Sequence, residues 1–127
     1  MSRARAVTPV NLMTATTHTH DLSPTLSVEM QSHAAEAVRL LKSFSHEVRL
    51  LVLCHLTGGE LSVGDINERI PLSQSALSQH LAALRSEGLV STRRHGQSIF
   101  YRLADTRAEK LLVVLYDMYC RGKGGEA

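Results

Sequence analysis

The sequence predicts a mainly helical domain carrying one small β-hairpin. Apolar residues recur at helical spacing in four segments before Leu89 and in one after Ala104. Pro71-Leu72-Ser73 makes a tight break between two of those helices. Two short alternating runs, Leu89–Arg93 and Ser98–Leu103, flank a turn rich in cations. Helix, tight turn, helix and then a basic hairpin is the winged helix-turn-helix arrangement, here in the order α-α-α-α-β-β-α.

Residues 1–27 hold threonine, serine, Pro9, Pro24 and few periodic apolar residues, so they read as a disordered tail. His18-Thr19-His20-Asp21 within it offers two imidazoles and a carboxylate, a weak metal word without further ligands; solvated histidines are the simpler reading. Arg3 and Arg5 precede no apolar stretch, so the start is not a secretory signal, and its likeness to a transit peptide is only compositional. The folded domain is expected over residues 28–121, with 122–127 a glycine-rich flexible end.

The first helix spans about Val28–Phe44, with Ala34, Ala35, Ala37, Val38, Leu40 and Leu41 at helical spacing. A second runs His46–Thr57, with Val48, Leu51, Val52 and Leu56 toward the core and Gly58-Gly59 ending it. The third, Leu61–Ile70, is opened by Ser62 with Asp65 three residues on, close to a capping box; Val63, Ile66 and Ile70 form its inner stripe.

The fourth helix begins at the N-cap Ser73 and buries Leu77, Leu81 and Leu84. Ser75, Gln79, Ala82 and Ser86 lie on the opposite face, with Gln74 and Ser78 on its flank and Arg85 near its end. This face is small and amide-rich, with no acidic residue near its start, and glutamine can hydrogen-bond adenine in two places. Gly88 closes the helix, followed by the apolar Leu89. On the hairpin, Ile99, Tyr101 and Leu103 share one face, while Arg93, Arg94, His95, Gly96 and Gln97 form a tip suited to phosphates or a minor groove. His80 is a DNA-side residue or a helix-edge residue without a role.

In the last helix, about Arg107–Tyr119, Thr106 and Glu109 make a capping box. Leu111 to Leu115, Tyr116, Met118 and Tyr119 leave almost no polar face. A small monomer covers one side of such a helix; a second subunit related by two-fold symmetry covers the other and supplies a second reading helix for a pseudo-palindromic operator.

At 127 residues and a net charge of +2, the chain is one domain whose DNA binding rests on the placement of its cations rather than on bulk charge. No run of 18 apolar residues is present, so no membrane partner is expected. No Ser-His-Asp set, phosphate loop or paired carboxylates suggest an enzyme. Cys54 and Cys120 are the only cysteines, and without a signal peptide they imply the reducing cytoplasm. Cys54, between Leu53 and Leu56, suits a small buried hydrophobe. Cys120 stands beside Arg121 and Lys123, where cations favour a thiolate. If the last helix crosses the second, the two sulfurs come close, and a direct disulfide then needs Cα atoms within about 7 Å.

The words LLKSFSHEVRLLVLCHL, SQSALSQHLAALRSEGLVSTRRHGQSIFYRL and LYDMYC resemble the ArsR/SmtB family of bacterial winged-helix repressors, over about Ala35–Cys120. The resemblance implies a homodimer through first and last helices, bound to double-stranded operator DNA and released by an inducer. Two metal words of that family are missing. Leu61-Ser62-Val63-Gly64-Asp65 stands where some members have Cys-x-Cys, and the last helix has Asp105 and Asp117 but no histidine, so no metal ligand is carried over.

Cys54 in LLVLCHL and Cys120 after Tyr119 fall on the two cysteines of the branch that senses reactive sulfur species, the BigR/SqrR/YgaV type. The resemblance implies that sulfane sulfur persulfidates one thiol and a polysulfide bridge then ties helix to helix; no other cofactor is expected. Three alternatives stand beside it: a metal sensor using Cys54 or Cys120 with His46, His55 or the tail histidines, a general thiol-oxidation sensor closing a disulfide, and a constitutive winged helix with inert cysteines.

Overall fold

The computed structural model describes residues 25–121; the expected tail metal word, residues 18–21, and the glycine-rich end lie outside them. Helix α1 covers residues 25–31 and so begins three residues inside the stretch read as tail. It does not run on to Phe44. A turn at Ser32-His33 separates it from α2 (Ala34–Phe44). There Ser32 Oγ donates to the Glu29 carbonyl at 3.2 Å, and the His33 N–H closes a tighter bond to Met30 at 2.9 Å. A hydroxyl that bonds the preceding turn competes with the helical ladder.

Arg39 to Arg121 form a compact unit. In it α3 (Glu47–Leu56) is capped by His46, whose Nδ1 accepts from the Val48 N–H at 3.3 Å. Val52, Leu53 and Leu56 are buried, but Leu51 is 42% exposed, against expectation. A helix apolar nearly all round does not announce its inner face from sequence alone. Helix α4 (Val63–Arg69) has the full capping box: the Asp65 N–H donates to Ser62 Oγ at 3.1 Å, and the Ser62 N–H to Asp65 Oδ2 at 3.4 Å. Helix α5 (Gln74–Ser86) starts on Ser73, whose Oγ accepts from the Ala76 N–H at 3.1 Å. It ends on Gly88 at φ 78°, where the Leu89 N–H reaches the Leu84 carbonyl and the Gly88 N–H the Arg85 carbonyl, both at 3.0 Å. That double closure is a Schellman stop.

The wing is three-stranded. Strands β2 (Val90–His95) and β3 (Ser98–Leu103) pair antiparallel, and β1 (Leu61–Ser62) adds to the other edge of β3. Strand β1 goes beyond the two-stranded hairpin that the sequence predicts, because two residues carry no readable alternation. The hairpin turn is only Gly96-Gln97, with Gly96 at φ 63°. Arg93, Arg94 and His95, read as turn residues, therefore belong to β2. Gly96 reverses the chain in two residues, so pairing continues to His95–Ser98.

Helix α6 (Thr106–Tyr116) is capped by Asp105 rather than Thr106. Asp105 Oδ1 accepts from the N–H groups of Arg107 at 2.8 Å and Ala108 at 3.3 Å, while Arg107 Nη2 pairs with Oδ2 at 2.7 Å. A carboxylate at the helix start outcompetes a hydroxyl one position later. The chain continues as a π-helical turn, Asp117–Arg121. The core combines α3 with Ile66 and Ile70, with Leu77, Leu81 and Leu84, with Leu89 and Val90, and with Ala108 and Leu112. No helix among the described residues is long and apolar enough to cross a membrane.

Candidate nucleic-acid interface and thiol pair

With Leu77, Leu81 and Leu84 turned into the core, Gln74, Ser75, Ser78, Gln79 and Arg85 are all exposed. The tie between α4 and α5 holds this face in place. Asn67 Nδ2 donates to the carbonyls of Ile70 at 3.3 Å and Leu72 at 2.9 Å, across the turn that contains Pro71. Asn67 carries no signal in the sequence, being one polar residue on a short helix. A concave surface runs from Gln74 and Ser78 on α5 past Ser62 and Gly64 to Gln97 and Ser98 on the wing. Tertiary structure thus joins two segments that the sequence marks separately.

The wing cations differ. Arg93 reaches across β3: its guanidinium stands 4.9 Å over the Phe100 ring and grips Glu60 with two hydrogen bonds of 2.8 Å. The bidentate bond holds the Glu60 carboxyl below its ordinary pKa and raises that of Arg93. Arg93 therefore ties the wing to the chain entering β1. Arg94, His95 and Gln97 are exposed. His80 does not join the α5 reading face; it is half-buried and turned toward α3, where Arg49 Nε donates to its Nδ1 at 3.2 Å.

Cys54 and Cys120 are both free and exposed. Cys54 is therefore not the buried hydrophobe its neighbours suggest; Leu53 and Leu56 take the core and turn it outward. Desolvation raises its pKa, and so, secondarily, does the charge of Cys120. Arg121 lies beside Cys120 in the chain, but its Nε is 3.3 Å from Asp117 Oδ1. No group of three or more His, Cys, Asp or Glu side chains suited to a metal ion occurs among the described residues.

A profile described as "Bacterial regulatory protein, arsR family" matches residues 46–92. The transcriptional activator HlyU of Vibrio cholerae is 50% identical over 93 residues, covering 73% of this chain and 86% of HlyU. The chain belongs to the ArsR family of bacterial regulatory proteins. A second relative, the biofilm growth-associated repressor of Xylella fastidiosa, is 45% identical over 92 residues, 72% of this chain and 81% of the repressor. The solved structure of reduced HlyU from Vibrio cholerae superposes with a TM-score of 0.70 at 49% identity, covering 73% of this chain and 98% of that one. The transcriptional repressor BigR from Xylella fastidiosa gives 0.71 at 44% identity, over 74% and 96%. This ArsR-family chain is accordingly a winged-helix transcriptional regulator.

Proposed function

We propose that the protein is a homodimeric, cytoplasmic repressor, not an enzyme, that holds a pseudo-palindromic operator while its dithiol is reduced and releases it when sulfane sulfur bridges Cys54 and Cys120. The observation that carries this reading is that both cysteines are free and exposed, one on α3 and one on the turn that continues α6. Gln74, Ser75, Ser78 and Gln79 read base edges or position the helix, while Arg85, Arg94, His95 and Gln97 meet the DNA backbone. Arg93 contributes by holding the wing. Exposed Val113, Val114, Tyr116, Met118 and Tyr119 are covered by a second copy.

The chemistry is placed first at Cys120, because burial and the charge of Cys120 disfavour the Cys54 thiolate. The Cys120 thiolate attacks the terminal sulfur of an organic persulfide; the S–S bond breaks and the organic thiol leaves. The new protein persulfide attacks a second persulfide in the same way, giving a three-sulfur chain ending in S–H. Cys54 Sγ, losing its proton, then attacks the middle sulfur and expels hydrosulfide. Two protein thiols and two persulfides thus give a trisulfide bridge, two organic thiols and hydrogen sulfide, with one sulfane sulfur reduced. The bridge joins α3, which packs on the reading helix, to the end of the dimer helix. If that favours a spacing of the two reading helices that mismatches successive major grooves, a coupling of about 1–3 kcal/mol lowers affinity roughly 5- to 150-fold.

The test treats reduced full-length protein separately with an organic persulfide, hydrogen peroxide and zinc, then measures intact mass and operator affinity. The proposal expects, with persulfide alone, a gain of one sulfur and a loss of two hydrogens together with DNA release, abolished in Cys54→Ser and Cys120→Ser. Release on forming a plain disulfide would instead make it a general oxidant switch. Zinc-dependent release would make it a metal sensor, and no response to any treatment would leave the cysteines inert.

A further inference from the structure

The ring of His80 lies roughly 140° around α5 from Ser75, at 100° per residue, and so points away from the DNA-reading face. Besides the bond from Arg49, it packs against His46, with ring centroids 4.3 Å apart and planes inclined by 55°. His46 is the N-cap of α3. The first turn of the thiol-bearing helix is therefore joined to the middle of the reading helix. The rest of that contact is aliphatic, Val52 and Leu53 with Leu77, Leu81 and Leu84 in one core. Aliphatic packing is non-directional, whereas a hydrogen bond fixes an angle.

We infer that Arg49 and His80, braced by His46, are positioning residues that set the angle of the reading helix on the thiol-bearing helix, so that operator binding requires a neutral His80. The bond uses the Nδ1 lone pair, which protonation removes. The charged groups acting on His80 are Arg49 and His46, both from α3. Arg49 also shares a shallow groove with Arg39 and Lys42 of α2, and with Glu87 at the end of α5. Burial first, then His46 and Arg49, push the His80 pKa below the ordinary histidine value. The joint is thus intact above about pH 6.5 and is lost as pH falls through the depressed folded value. This opposes the usual trend, in which protonating exposed histidines adds positive charge and tightens binding to a polyanion.

The inference rests on α5 being the reading helix but not on the sulfur chemistry, because every sample in its test is reduced. The probe is a duplex selected from random-sequence DNA by the wild-type protein at about pH 8, titrated at constant ionic strength down to about pH 5.5. His80→Asn keeps an acceptor near the Nδ1 position and does not titrate; His80→Leu removes the acceptor. Wild-type affinity is expected to fall on the order of tenfold in acid, with His80→Asn flat and His80→Leu weak throughout. Wild-type binding that is unchanged or tighter in acid, or a profile shared with His80→Asn, overturns the inference even if His80→Leu fails to fold. Absence of any selected sequence at pH 8 would instead overturn the reading-helix assignment, and this inference with it.

Discussion

Arg93 and Arg94 are sequence neighbours with different partners, because successive strand residues point to opposite faces. Arg93 lies over Phe100 and is bound to Glu60; Arg94 projects from an exposed position. Arg94→Ala is expected to weaken binding on all sequences alike and to reduce the slope of log affinity against log salt by about 0.9, the loss of one phosphate contact. Glu60→Gln, which adds no cation and removes none, is expected to weaken binding in the same direction as Arg93→Ala by loosening the wing. Salt titrations of the three variants check this, and an unchanged Glu60→Gln would sink the anchoring role. Gln79→Ala is expected to relax base preference by about 1–3 kcal/mol at one position, read by competition among operator variants. If preference and affinity both stay put, Gln79 does not face the bases.

At the scale of elements, local chemistry decides where helices begin and tertiary contacts decide which way they face. Ser62 with Asp65, Ser73 and Gly88 act as their sequence signals indicate. The exception is α6, where Asp105 displaces Thr106 as the cap. Asp105→Ala is expected to cost about 1 kcal/mol, against little for Thr106→Ala, by urea denaturation. The Arg107 guanidinium, followed by the Arg107 and Ala108 N–H groups, holds the Asp105 carboxyl below its ordinary pKa. Its stabilising contribution is therefore complete above about pH 4 and is lost as pH falls through the depressed folded value. The wild-type acid transition should accordingly be steeper than that of Asp105→Asn.

For the whole molecule, one unfinished surface among the described residues is the outer side of α6 and the turn that continues it. Val113 of α6 and Tyr119 of the π-helical turn are 55% and 65% exposed, while Ala108 and Leu112 take the inner side of α6. Val113→Glu combined with Val114→Glu is expected to yield a folded monomer by light scattering. Its operator affinity should fall about 10²-fold or more, because the second reading helix then binds independently instead of at high effective concentration. A dimer that survives both changes would place the subunit contact elsewhere.

The winged helix-turn-helix order, the exposed polar face of α5 opposite its three buried leucines, and the family were legible in the sequence, because caps, periodicity and turn residues act over three to five neighbouring positions. Three things needed the folded chain. The strand β1 is too short to show a pattern. The inner face of α3 is unmarked on a helix apolar all round, so whether Cys54 or Leu53 took the core was open. The pairings Arg93–Glu60 and Arg49–His80 join residues more than thirty positions apart. Sequence determines which groups are available and which local structures they nucleate; only packing decides which of them meet, because a side-chain contact depends on where whole elements come to rest.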